Sequence, residues 1–402
     1  MPRPKMLLEG GLRQADIINL GALTKSFPRA RLSKVLEETG RQSQRRHKLP
    51  AHVMMYYVMA MTLFMNVSCE EVLRLLLEGL RPLLPKGEKL VVATRSAVSQ
   101  ARHRLGVEPL RQLYEESVAP IASEQTLGAH YNGLLLVSID GTCLDVADTP
   151  SNEATFGRPS ASRGASAFPQ VRMVSLMENG THVLFGAHFA GCDVSEIALS
   201  RKVLCHLRTG MLCMADRNFF SFALFEQSAS TGAELLWRVK KNLILPRLEE
   251  LPDGSYITCL HPDQGKRTLD GTGRKVRVIV YDVDIPGQPS RCRLVTTLLD
   301  HERFPAAELA KRYHQRWAIE TAFAELKTYL KGRQTVLRSQ SPALVLQEIY
   351  GLLLAHFAIR GLMHEAALVG ERDPGSLSFT HALNIVRRTL PAFAGLSPLR
   401  AP

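Results

Sequence analysis

Two short stretches of this chain are almost continuously apolar and stop at an aspartate: GLLLVSID at 133–140 and GMLCMAD at 210–216. Strict alternation would mark a strand with one wet face. A continuous run suits a strand covered on both faces, as in a sheet flanked by helices. The segments around them agree. PQVRMVSLM and THVLFGAHFAG, separated by Glu-Asn-Gly, read as a hairpin, VSEIALSRKVLCHL (194–207) as a helix, FFSFALFEQSAS as a helix and AELLWRVKK as a strand. From about 240 to 303 the pieces SYITCLH, KVRVIVYDV and RCRLVTTLL are β-like, with Gly and Asp between them. A long helix is expected from 306 to about 331, another from 342 to about 366, and a last one near 378–389. The Ser-, Gly- and Pro-rich stretch 149–166 reads as a loop. This order predicts an α/β fold: a mixed sheet flanked by helices, with a β-rich insertion before the last long helices.

Ahead of it, residues 15–125 read as all-helical, with helices near 30–39, 51–65, 69–80, 94–105 and 108–124. The expected division is a helical N-terminal domain (1–125), a first core part (130–239), the β-rich insertion (240–303), the completion of the core (304–366) and a C-terminal tail (367–402).

Charge narrows the partners. The chain carries 50 Lys+Arg against 38 Asp+Glu, a net +12, which suits a polyanion. Residues 1–130 hold +7 of it and 131–402 the other +5. Eight cations (Lys25, Arg29, Arg31, Lys34, Arg41, Arg45, Arg46, Lys48) crowd one stretch, a density that suits phosphate contacts or a solvated face. In TRSAVSQARHRLG (94–106), Ala97, Val98, Ala101 and Leu105 share one face. Arg95, Ser99, Arg102 and His103 fall on the opposite arc, as on a recognition helix lying on DNA. The most apolar run, 51–65, is short for a membrane span, which needs about 20 residues, and the N-terminus has no secretory core. The expectation is a soluble cytoplasmic, nucleoid-associated protein with no membrane partner. Seven dispersed cysteines without a CxxC pair argue against disulfides and zinc.

Asp140 and Asp216 end the two apolar runs, and ligand sites of α/β sheets lie at strand ends. Two carboxylates held together need a cation between them, and hard oxygen ligands select Mg²⁺ or Mn²⁺. Each aspartate could equally cap an ordinary turn. On the helix after Pro305, Ile319, Phe323, Leu326 and Leu330 form the core stripe. Tyr313, Arg316, Glu320 and Lys327 fall within about 60° of one another beside it, and Glu325 points away. Glu320 can complete a metal site while the cations and the phenol hold phosphates; the plain alternative is an exposed helix with an Arg316–Glu320 i,i+4 pair.

With these blocks the sequence resembles bacterial insertion-sequence transposases of the DDE type, in the insertion-element-four group. Asp140 in LLLVSIDGT matches the first acid. MADRNF resembles the second block, Asp-Arg-x-Phe, and YHQRWAIETAFAELK matches the signature Tyr-x2-Arg-x3-Glu-x6-Lys. Seventy-six positions separate the two aspartates and 104 separate Asp216 from Glu320. The resemblance covers about 16–365. It implies a ribonuclease-H-like core in which Asp140, Asp216 and Glu320 bind two divalent ions (Mg²⁺ or Mn²⁺). It implies nicking at the element's terminal inverted repeats, attack of the freed 3′-hydroxyls on target DNA, and a homodimer in the synaptic complex. Tyr313, Arg316 and Lys327 would grip terminal phosphates, with a hairpin intermediate accompanying the signature, and Arg217 is a further phosphate contact. The family often holds a flipped base with an aromatic in or near the insertion. Trp237 suits a core strand better and Trp317 packing within the helical layer, so neither is taken as a site. A nuclease that cuts without joining, and a DNA-binding regulator with a silent core, remain the rival readings.

Overall fold

The computed structural model describes residues 22–43, 49–78, 93–161, 164–262, 273–283, 290–333 and 335–389. Arg45, Arg46 and Lys48 of the basic cluster, the expected helix end at 79–80 and the tail beyond 389 lie outside the described residues. In chain order the elements are α1 (Ala22–Ser26), α2 (Arg29–Glu38), α3 (Ala51–Leu63), α4 (Cys69–Glu78), α5 (Arg95–Leu105) and α6 (Glu108–Ser117). Then come β1 (His130–Tyr131), β2 (Leu134–Asp145), α7 (Pro150–Phe156), β3 (Ser160–Ala161), β4 (Gly164–Ala165), β5 (Gln170–Glu178), β6 (Val183–Gly191), α8 (Glu196–Val203), β7 (Met211–Ala215), α9 (Phe222–Ala229) and β8 (Glu234–Arg238). The last are β9 (Glu249–Glu250), β10 (Tyr256–Leu260), β11 (Arg274–Val283), β12 (Ser290–Thr296), α10 (Ala306–His314), α11 (Ala318–Ala324), α12 (Pro342–Val369) and α13 (Phe379–Thr389). The described residues form two compact units, one of those within 22–119, 144–169 and 323–389, the other of those within 120–143 and 170–322.

The first unit is helical and centres on α12. That helix is apolar nearly all round, so it must be covered on every side. Tyr350 meets Tyr114 of α6 and Phe357 meets Phe27. Gly351 lets α3 come close, because a Cβ there would stand 2.9 Å from the Val58 carbonyl oxygen. Among the described residues α12 alone is long and apolar enough to cross a membrane, and 78% of that apolar window is buried inside the fold. The stretch 149–166 is not the loop its composition suggested. Thr149 caps α7 by accepting the Asn152 N–H, Pro150 occupies the first turn where no N–H is needed, and β3 pairs with β4.

The second unit carries a mixed sheet in the order β6-β5-β2-β7-β8-β12-β11-β10-β9, with β1 pairing β2. β2, β7 and β8 run parallel, and β5 and β6 form the expected antiparallel hairpin. The continuous apolar runs are explained by this placement, since Val137, Ile139, Leu212 and Cys213 are all fully buried. The 240–303 segment adds to the same sheet rather than building its own: β12 pairs antiparallel with β8, and β11 and β10 follow. Leu294 and Ile279 accordingly share one core cluster with Leu136, Met214 and Leu236, closed by Leu309 and Tyr313 of α10 and its C-terminal end. The helix expected over 306–331 is broken. A 3-10 turn at Gln315–Trp317 separates α10 from α11, and a π-helical stretch, Glu325–Leu330, follows.

Candidate active site

Parallel pairing places the two aspartates together. Ser138 pairs with Met214 and Ile139 with Ala215, the last matched pair of β2 and β7. Asp140 and Asp216 are the next position on each chain, and both carboxylates act on the Arg316 guanidinium. Period-two alternation turns Asp140 to the face of Leu136, the face that α10 covers, and Asp216 acts on Tyr313 and Arg316 of the helical segment on that face. Asp140 is not at a strand end, as its sequence suggested. β2 runs on to Asp145, and what ends after Ile139 is the pairing with β7.

The helical segment after Pro305 brings Tyr313, Arg316 and Glu320 to that face. Asn179, in the β5–β6 turn, accepts a hydrogen bond from Ser138 Oγ at 2.9 Å. Its Nδ2 donates to the Gln315 carbonyl at 2.8 Å, tying β2 to the 3-10 turn. Arg316, the next residue, places Nη1 3.2 Å from Asp140 Oδ2 and Nη2 3.5 Å from Glu320 Oε1. Its side chain is 6% exposed, whereas that of Glu320 is 46% exposed. The guanidinium therefore bridges two of the three expected ligands. Burial disfavours its charge, but Tyr313, Asp140, Asp216 and Glu320 outweigh burial and raise its pKa.

Burial pushes the Asp140 carboxyl up to about 6. The Gly141 N–H, donating to Oδ1 at 2.8 Å, and Arg316 act against that rise, while Glu196 and Glu320 add to it. Glu196 opens α8 and was not singled out from the sequence, where it is an unremarked first-turn acid after the Ser195 cap. Its Oε1 would stand 2.6 Å from a Cβ at position 141, so a glycine there lets the two elements meet.

Tyr313 is buried, and its hydroxyl donates to the Ala215 carbonyl at 3.2 Å. Burial raises its pKa. The phenol thus holds the residue before Asp216, a different placement from the phosphate grip that the resemblance implied. Arg217 is exposed just beyond Asp216, and Lys327 is half-buried on the π-helical stretch. Glu325 does point away from the stripe, but into the first unit, where its carboxylate is buried and bonded to Arg360 and His356 of α12. The two tryptophans divide. Trp237 is fully buried edge-on to Phe225, as its strand position suggested. Trp317 is not packed: it is 56% exposed, with the Arg316 guanidinium 5.4 Å from its ring centre.

On α5, capped by Thr94 and ended by Gly106 at φ 71°, Arg95 and His103 are exposed and Ser99 is half-buried. Arg102 is a correction. It is buried, bonded to Gln347 Oε1, Ser339 Oγ and the Leu344 carbonyl. On the helical wheel it lies only about 40° from Val98, at the edge of the apolar arc rather than opposite it. Its donors are used inside the protein and are not turned to DNA.

Among the described residues no three His, Cys, Asp or Glu side chains converge on one metal position. The donor set nevertheless fits a hard divalent ion: carboxylate oxygens only, one of them desolvated beside further acids and at present balanced by a guanidinium.

Residues 132–358, more than half of the chain, match the family described as Transposase DDE domain, and residues 17–115 match Insertion element 4 transposase N-terminal. The chain belongs to the DDE transposase family. It is 32% identical over 376 residues to "Transposase InsG for insertion sequence element IS4" of Escherichia coli (strain K12), covering 92% of this chain and 83% of that protein. It is also 31% identical over 144 residues to "Putative transposase InsZ" of the same strain, covering 36% of this chain and 48% of that protein.

Proposed function

We propose that the protein moves an insertion sequence by cutting DNA at the element's terminal inverted repeats and joining the freed 3′ ends to target DNA. Water attacks the phosphorus at each end and the 3′-oxygen leaves. That 3′-hydroxyl then attacks a target phosphodiester, so one P–O bond forms as another breaks and no energy source is needed. The observation that carries the reading is the register of β2 on β7, which sets Asp140 beside Asp216 on the face where Arg316 approaches with Glu320. The strand order β6-β5-β2-β7-β8, with a parallel centre and an antiparallel hairpin at one edge, supports a ribonuclease-H-like core.

In this reading Asp140, Asp216 and Glu320 hold two divalent ions, Mg²⁺ or Mn²⁺. Bound there, the ions activate the attacking oxygen and stabilise the departing one. Arg316 and Lys327 hold the phosphates that flank the cut, and exposed Arg217 adds a contact to the strand. Tyr313 keeps the end of β7, and so Asp216, in place. The helical region 1–125 binds the repeats, with Arg95, Ser99 and His103 on the face turned to DNA. Two copies pair the ends in one synaptic complex, and the protein works on the bacterial nucleoid in the cytoplasm.

The test is a supercoiled plasmid carrying both element ends, incubated with the full-length protein and Mg²⁺. Nicked ends and joined products are expected, lost in Asp140→Ala, Asp216→Ala and Glu320→Gln. Undiminished activity in any of the three overturns the assignment. Cutting without joining supports the nuclease alternative, and DNA binding with no Asp216-dependent Mn²⁺ binding supports the silent regulator.

A further inference from the structure

We propose that Arg316 is the protein's own counter-cation, filling the metal position in the DNA-free site, and that a DNA phosphate must draw it out before metal can load. The inference rests on the metal-dependent reading above and adds to it an order of events.

Three observations carry it. The first is position: one guanidinium nitrogen meets Asp140 and the other meets Glu320. A divalent ion shared by those carboxylates needs oxygens at about 2.1 Å, a volume the guanidinium now occupies, so the two cations exclude each other. The second is bond quality. Charge-assisted N–H···O bonds run about 2.7–2.9 Å, whereas these are 3.2 and 3.5 Å, and Nε, although buried, has no partner. Arg316 neutralises the acids through long bonds and leaves Nε without a partner, and a phosphate, which takes a guanidinium with two parallel bonds, is the better acceptor. The third is that the backbone beside Arg316 is anchored, while its side chain is held only by the two long bonds to Asp140 and Glu320. Asn179 fixes the Gln315 carbonyl, and the neighbouring indole of Trp317 is exposed, offering a path outward along the surface. Reaching a phosphate needs rotation of one side chain and no change in the sheet.

Such exclusion makes the coupling reciprocal: DNA tightens metal and metal tightens DNA by the same factor. The free protein would then carry little metal and would not cut at random.

The experiment is calorimetric titration of Mn²⁺ into the full-length protein, with and without a duplex ending in the terminal repeat, for wild type, Arg316→Gln, Arg316→Lys and Asp216→Asn. Wild type should bind Mn²⁺ at least about tenfold more tightly with DNA than without. Without DNA, Arg316→Gln should bind it at least about tenfold more tightly than wild type and gain little more from DNA. Arg316→Lys, a single point charge that cannot bridge both acids, should fall between. If Arg316→Gln does not fold, the Arg316→Lys shift and the reciprocal tightening of DNA by Mn²⁺ in wild type decide the matter. Mn²⁺ binding that needs Asp216 but ignores both Arg316 and DNA overturns this proposal alone. No Mn²⁺ binding by any form, even with DNA, overturns the metal reading and this proposal with it.

Discussion

Asp140→Asn should stabilise the metal-free protein at alkaline pH while ending its catalysis. The carboxyl rises from its ordinary 3.8 to about 6 because burial strips water from it, and Glu196 and Glu320 add to the effect. That span is worth about 3 kcal/mol. The folded state is the one whose pKa is raised, so it takes up the proton first as pH falls. The penalty for holding a bare carboxylate is therefore complete above the folded value and disappears below the unfolded one. Asparagine has the same shape and never carries the charge. Its advantage should be about 3 kcal/mol at pH 8, about half of that at pH 5 and nearly gone at pH 4. The rise to about 6 already contains the opposing pull of Arg316, so the lost pairing takes nothing further from that gain. Urea denaturation in EDTA measures it, followed by tryptophan fluorescence, since both tryptophans lie in the unit that holds the sheet. An Asn variant no more stable than wild type at pH 8, or an advantage that does not shrink toward pH 4, would refute the reasoning. It would mean that Arg316 already compensates the buried charge in full.

Other outcomes follow from the same geometry. Arg102→Ala should cost about 3 kcal/mol in urea denaturation, because Gln347, Ser339 and the Leu344 carbonyl lose a buried partner. Arg95→Ala should leave stability unchanged and weaken repeat binding in a mobility-shift assay, with a shallower salt dependence. If instead the Arg102 variant folds normally and only DNA binding suffers, the structural role given to Arg102 is wrong. Tyr313→Phe removes the bond to the Ala215 carbonyl and should destabilise by about 1–2 kcal/mol. It should also slow cleavage while repeat affinity holds; a loss of affinity with cleavage of bound DNA intact would return Tyr313 to the DNA-contacting set. Gly351→Ala drives a methyl against the Val58 carbonyl oxygen and should lower stability by about 1–3 kcal/mol, read as an earlier thermal midpoint.

Where a short-range pattern sufficed, the sequence was a sound guide. The apolar runs ending at Asp140 and Asp216 are buried parallel strands, Thr94 and Gly106 delimit α5, and the β5–β6 hairpin lies where the Glu-Asn-Gly turn put it. Misreadings came where a partner distant in sequence sets the outcome. Arg102 looked outward because nothing near it in sequence reveals that Gln347 and Ser339 will accept its protons. Trp317 looked like a packing residue because its place on a regular wheel says nothing of a 3-10 turn that exposes it. A single 100° step does not hold from 306 to 331, because the 3-10 turn winds faster and the π-helical stretch more slowly. The phase of Lys327 relative to Glu320 therefore cannot be read from their spacing.

The sequence by itself determined the local features: two aspartates after apolar runs, a Tyr-Arg-Glu-Lys set on one helical segment and a cationic N-terminal third. Periodicity and residue type are local properties, and local properties survive in one dimension. The tertiary structure alone decided how those residues stand to one another. It placed Asp140 beside Asp216 through strand register and Arg316 between Asp140 and Glu320. It also spent the Arg102 and Tyr313 donors inside the protein and made the 240–296 strands an extension of the central sheet. Register, burial and bond partners arise from contacts between segments scores of residues apart, and each depends on how every other segment packs.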